Sequence, residues 1–167
     1  MIAPPMVARC VCGNVEYEAA GNPIVGVACY CDDCQEGARR IEALPNALPV
    51  REPDGGVAYV LYRMDRVRCT KGGGLLQSQK LTPKTDTNRV VATCCNSAMA
   101  MTFDDSRHWV PVYRSRLQEP PSVEMRICTR FATDAAAIPR DVPIYPGFSV
   151  RFIWKLLGAR LAMALGR

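Results

Sequence analysis

Cys29-Tyr30-Cys31-Asp32-Asp33-Cys34-Gln35 is the stretch on which the reading of this chain turns. It sets three cysteines in a C-x-C-x-x-C run. Zinc favours thiolate ligands in tetrahedral geometry. Structural sites are closed by four protein ligands, whereas catalytic sites use three and keep one position for water or substrate. Thiols this close can wrap one ion, with the C-x-x-C part forming a knuckle at a helix start, where the helix N-terminus favours negative sulfur. The helix is expected from about Cys34 to Leu44, with Asp32 and Asp33 as its caps and Pro45 as its stop.

Working outward, the chain of 167 residues holds nine cysteines and carries a net charge of +5. A chain of this length buries a core without disulfides. The odd cysteine count, the close clusters and the absence of a secretory pattern in Met1 to Arg9 point to free thiols in a reducing compartment, most simply the cytoplasm. The bases are scattered, which argues against a nucleic-acid partner. Lys80, Lys84, Arg89 and Arg39 could meet an anionic thiol but read best as solvated surface.

Cys10 and Cys12 form a C-x-C pair that needs partners from elsewhere, and Cys94-Cys95 is the natural donor. Neighbours on a strand point to opposite sides, so both can ligate only if the chain turns there. Three arrangements are open: both close the Cys10/Cys12 site, one goes to each site, or one is a packed thiol. Cys69 and Cys128 stand alone within β patterns and read as small buried hydrophobes. His108 is the only histidine and lies in a polar turn, so no Cys2His2 site exists.

Between these cysteines the pattern is one of short strands. Val15 to Ala19 alternates apolar with polar, and Ile24 to Ala28 runs into Cys29. Val57 to Tyr62, Val67 to Thr70, Leu75 to Leu81, Arg89 to Thr93, Ala98 to Phe103, Val110 to Tyr113 and Met125 to Phe131 follow, separated by turn signals. This predicts a mainly antiparallel β domain over residues 1–135. Residues 136–147 read as a proline-rich linker and 148–167 as a C-terminal helix. That helix is too short and too interrupted by Arg151, Lys155 and Arg160 to span a membrane, and its bases do not gather on one side. Docking on the domain or on a second subunit is the expected role, which allows self-association through this helix.

The order Cys10-Val11-Cys12-Gly13-Asn14-Val15-Glu16-Tyr17, then Cys29-Tyr30-Cys31-Asp32-Asp33-Cys34-Gln35, then Cys94-Cys95-Asn96-Ser97 resembles the glutathione-dependent formaldehyde-activating (Gfa-like) zinc proteins. It is similar to a little-characterised Cys-Tyr-Cys-Asp-Asp-Cys-Gln branch of that family, over about residues 7–115. The resemblance implies a mainly β, β-tent fold of small antiparallel sheets around one or two Zn2+ ions. It implies a structural zinc on Cys10 and Cys12, completed by late cysteines, and a catalytic zinc on Cys29, Cys31 and Cys34. It further implies carbon–sulfur lyase chemistry on a thiol such as glutathione. The late C-x-x-C-G of the family is absent, and Cys94-Cys95 stands in its place.

Two functions therefore compete. In one, three thiolates leave an open position where a substrate thiol meets an aldehyde. In the other, Cys94 or Cys95 closes the Cys29/Cys31/Cys34 site, and the chain is a zinc-stabilised binding module without catalysis.

Overall fold

The computed structural model describes residues 4–167. Part of the N-terminal stretch read above, Met1 to Ala3, lies outside the described residues. The elements in order are β1 (Met6–Arg9), β2 (Glu16–Ala19), β3 (Val25–Cys29), α1 (Asp32–Glu42), β4 (Val57–Arg63), β5 (Val67–Lys71), β6 (Leu76–Gln79), β7 (Thr87–Ala92), β8 (Ser97–Phe103), β9 (Trp109–Tyr113), β10 (Met125–Ile127) and α2 (Val150–Ala164). They form a three-stranded sheet, β1-β2-β5, and a seven-stranded sheet, β10-β3-β4-β9-β8-β7-β6. The fold is thus mainly β with two helices, as the strand pattern implies. Pairing is antiparallel except between β10 and β3, which run parallel.

Strand alternation sends the side chains of β4 to two different layers. Val57, Tyr59 and Leu61 join the core that holds Ile41 of α1 and Phe152 and Leu156 of α2. Val60 and Tyr62 face the other way, toward Ala8, Ala19 and Leu117 beside the small sheet. On β3 the same period places Val25, Val27 and Cys29 on the helix-covered side. The first cysteine of the run is thereby aimed into the layer between sheet and helices.

Two expectations need correction. Met125 to Phe131 is not one strand: β10 ends at Ile127, because Cys128 takes a left-handed φ of 58° and a short 3-10 turn follows. Cys69 is exposed and not core, because β5 is an edge strand whose residues are almost all solvent-facing.

The tail packs on the domain. Ser149 caps α2 by accepting from the Phe152 amide at 3.0 Å. Buried His108 contacts the Leu156 carbonyl through Nε2 at 2.8 Å, and Lys155 pairs with Glu124 at 2.9 Å. The proline-rich stretch before α2 lies along β10, with Arg126 N donating to Pro143 O and Tyr145 N to Arg126 O. Among the described residues no helix is long and apolar enough to cross a membrane.

Candidate metal centres

The fold gathers seven of the cysteines into two groups. Cys10, Cys12, Cys94 and Cys95 form one, and Cys29, Cys31 and Cys34 the other; within each, all sulfurs lie within 4.8 Å of one another.

The first group joins the β1–β2 turn to the β7–β8 hairpin. Asn96 takes a φ of 53°, and the Cys95 amide donates back to Ala92 O. The chain therefore turns at the adjacent pair and brings both thiols to the same side. Sulfur separations are 3.6 Å for Cys10–Cys12, 3.9 Å for Cys10–Cys94, 3.3 Å for Cys12–Cys94 and 3.9 Å for Cys94–Cys95. A tetrahedral zinc with bonds of about 2.3 Å needs sulfurs about 3.8 Å apart. The donor set fits a closed four-thiolate site. The Val15 amide already donates to the Cys10 sulfur at 3.2 Å. Burial opposes ionisation of Cys95, but the Ser97 hydroxyl at 3.0 Å and the neighbouring Cys12 and Cys10 pull its thiol down to about 6.

The second group sits where β3 enters α1. The helix cap is not Asp32 or Asp33 but Cys31, whose sulfur accepts from the Cys34 amide at 3.4 Å. Sulfur replaces the expected carboxylate because the helix starts at Asp32, which puts both aspartates inside its first turn. There they complement the positive end of the helix without capping it. Contacts from Cys29 and Cys34 hold Cys31 down to about 3, whereas contact with Cys128 and its other neighbours, together with burial, pushes Cys29 well up. Cys34 is lowered by Cys29 but raised more by the Cys31 thiolate and by burial, ending at about 12. A cation here would favour the thiolate form of all three. Three thiolates and a helix N-terminus suit zinc chemically.

Cys128 belongs here as well. Its backbone follows Ile127, which pairs with Cys29, and its buried thiol meets that of Cys29. It adjoins Cys29 without joining the mutual cluster of three. Cys94 and Cys95 are both in the other group, so they do not complete this one.

Above the three thiols opens a cavity of about 400 Å³. Met101, Phe103, Trp109 and Tyr59 come from the sheet, and Phe148, Phe152, Ile153 and Leu156 from the tail. The Tyr59 hydroxyl is buried, lacks a hydrogen-bond partner and lies near Cys34; burial, with Cys34 beside it, keeps it protonated far above its ordinary value. Arg89, expected on the surface, is only 3% exposed. Its Nη2 donates to Asp33 O at 2.7 Å, while Nε and Nη1 have no partner. It fits against α1 because residue 37 is glycine: a Cβ there would lie 1.9 Å from Arg89 Nε. The other bases stay outside, Arg39 paired with Glu36 and Lys80 with Asp104. Sequence reasoning placed Cys128 in the core, where it is buried, but not beside Cys29, and placed Arg89 on the surface. The signal for the second was the glycine inside a helix.

Comparison with known proteins agrees with this picture where it reaches. Residues 5–45 match the model of a family described as glutathione-dependent formaldehyde-activating enzyme, a span that contains Cys10, Cys12 and the whole cysteine run. The chain is Gfa-like over that span. A crystal structure of a Rhodobacter sphaeroides protein, a structural genomics target, is similar in fold, with a TM-score of 0.50 and 17% identity. The similarity covers 83% of this chain and 99% of that one. No curated protein matches the sequence.

Proposed function

We propose that this chain is a zinc enzyme of the carbon–sulfur lyase type, acting on the adduct of a thiol with an aldehyde. The observation that carries the reading is the cluster of Cys29, Cys31 and Cys34 in the floor of the cavity, with three mutually close sulfurs where a closed site would have four. The match over residues 5–45 supports it. A zinc ion there would hold a substrate sulfur as its thiolate.

The residues around it divide the remaining work. The apolar walls exclude water from the aldehyde carbon. In the joining direction the sulfur lone pair forms the S–C bond and the carbonyl π pair moves to oxygen. Tyr59, held neutral by burial, donates a proton to that oxygen, and the proton released by the thiol restores the tyrosine. Cleavage of the adduct runs the same steps in reverse. We assign Cys10, Cys12, Cys94 and Cys95 to a separate structural zinc. The nine free thiols suit a reducing compartment such as the cytoplasm. Self-association would run through the exposed side of α2, which carries Trp154, Leu157 and Leu161.

The test is to mix zinc-loaded protein with formaldehyde and either glutathione or phenylmethanethiol, and follow adduct formation by NMR. Formation above background that is lost in Cys31→Ser and slowed in Tyr59→Phe is expected. No rate above background with either thiol, zinc being confirmed by metal analysis, would refute the reading.

One observation favours a second reading, a zinc-stabilised binding module without catalysis. Cys128 stands beside Cys29 and could become a fourth sulfur. Cobalt(II)-substituted protein separates the two. Replacing Cys128 with Ala changes the thiolate-to-cobalt bands if Cys128 is a ligand, and leaves them intact on the reading preferred here.

A further inference from the structure

We infer that the thiol this site takes has a compact apolar body, aromatic or hydrocarbon, and is not a charged peptide thiol. The inference rests on the reading of Cys29, Cys31 and Cys34 as an open thiol-binding centre.

A bound thiol must place its sulfur at the floor of the cavity and its remaining atoms against the walls. Those walls are Met101, Phe103, Trp109, Phe152, Ile153 and Leu156. A carboxylate, an ammonium or a peptide group placed there loses its water and needs a replacement partner.

The cavity has few to give. Its charged lining residues are Asp33, Arg89 and Arg107. Arg107 is held by Asp105, with Nε at 2.8 and 2.9 Å from the two carboxylate oxygens, and its guanidinium lies over the Phe103 ring at 3.8 Å. Arg89 is turned toward α1, one nitrogen on Asp33 O and the other two sealed from solvent. Asp33 carries the same sign as a carboxylate it would have to receive. A tripeptide such as glutathione, with two carboxylates, an ammonium and two amides, would leave most of its polar groups unpaired. An aromatic or alkyl thiol would exchange water for side-chain contacts at every wall, which is favourable.

The tail supplies the wall nearest solvent, where Phe148 is 65% and Ile153 43% exposed. Phe152, Ile153 and Leu156 come from α2 and Phe148 from just before it, so the tail and the sheet together shape the cavity above the cysteine run.

The experiment uses cobalt(II)-substituted full-length protein, titrated separately with phenylmethanethiol and with glutathione, reading the thiolate-to-cobalt charge-transfer bands. Phenylmethanethiol is expected to bind at least about tenfold more tightly, the equivalent of about 1.4 kcal/mol. Ile153 is 43% exposed at the cavity mouth, so Ile153→Gln should fold normally. It should weaken phenylmethanethiol about threefold or more and leave glutathione unchanged. Glutathione binding as tightly as phenylmethanethiol, or an unchanged preference in Ile153→Gln, overturns the substrate class while the thiol-binding centre stands. Bands that respond to neither thiol overturn the open centre itself, and the inference with it.

Discussion

Replacing Gly37 with alanine should have opposite effects on stability depending on what stands at position 89. Gly37 is interior to α1, where alanine alone would stabilise the helix by about 1 kcal/mol. Its new Cβ, however, would lie 1.9 Å from Arg89 Nε, 2.5 Å from Cδ and 2.6 Å from Cζ. Carbon contacts settle near about 3.5 Å, so the helix or the arginine must give by about 1.5 Å. Arg89 sits on β7, which is paired on both sides, and is buried. Overpacking of this kind costs about 1–3 kcal/mol. Loss of the Arg89–Asp33 bond adds to that, and relief of two unpartnered guanidinium nitrogens subtracts from it. Gly37→Ala should therefore lose about 1 kcal/mol net in the native background. In Arg89→Ala the obstruction is gone, the added methyl fills part of the void, and the same change should gain up to about 1 kcal/mol. Urea unfolding of the four proteins at one fixed excess of zinc gives the coupling energy, expected near 2 kcal/mol. Additivity within about 0.5 kcal/mol would show that Arg89 does not occupy the space beside Gly37.

The other predictions concern the metal count and two polar ties. Cys94→Ser should lower bound zinc by one ion per chain, measured by atomic absorption, and leave the response of the Cys29 centre to thiols intact. Arg126→Met should cost about 3 kcal/mol by denaturant unfolding, because it removes the counter-charge of Asp54, now paired at 3.2 Å and left with only Tyr30 and Gly56 as donors, and removes a partner of Tyr30. Glu42 should contribute a pH-dependent tie. Burial opposes its ionisation, but the Arg51 guanidinium and the Arg51 and Val50 amides hold its carboxyl below the ordinary value. The folded value is depressed, so the tie is fully present above the unfolded pKa of about 4.3 and is lost as pH falls through the folded one. Glu42→Gln should cost about 1–2 kcal/mol at pH 7, and the gap to the native protein should narrow below about pH 4.

The parts legible in the sequence are those with a short-range signature. The β-branched and aromatic run of Val57 to Tyr62 announced a strand, and the C-x-C-x-x-C spacing announced a sulfur cluster before any fold was known. The rest depended on distant pairing. Cys128 looks like an isolated strand cysteine, and nothing near it says that β10 lies parallel to β3 and delivers it to Cys29. Arg89 looks like a surface base, and its burial needs a gap that Gly37 opens on another element. Cys31 as cap could not be told from Asp32 as cap, since both precede a helix and both can accept an amide hydrogen. Cys69 was misplaced for the converse reason, a β pattern whose strand has no layer packed on it.

The two cysteine groups also differ in what a metal would do for folding. Cys12 and Cys94 are 82 residues apart, and their sulfurs meet at 3.3 Å. Closing such a loop costs a flexible chain about 4 kcal/mol by the logarithmic rule, against about 1.4 kcal/mol for the five-residue separation of Cys29 and Cys34. An ion on the first group would be a staple between the β1–β2 turn and the β7–β8 hairpin, and its removal should be felt throughout the domain. An ion on the second would close almost nothing, because α1 and β3 already place those sulfurs through backbone pairing and the Cys34 amide. A site that contributes so little to holding the chain together can exchange a ligand without loosening the fold, which is what a centre that takes up and releases a substrate thiol requires. Cys128 would be the exception, since its bond to a metal would tie β10 to the run. Whether it ligates is therefore the point on which stability and activity trade against each other in this chain.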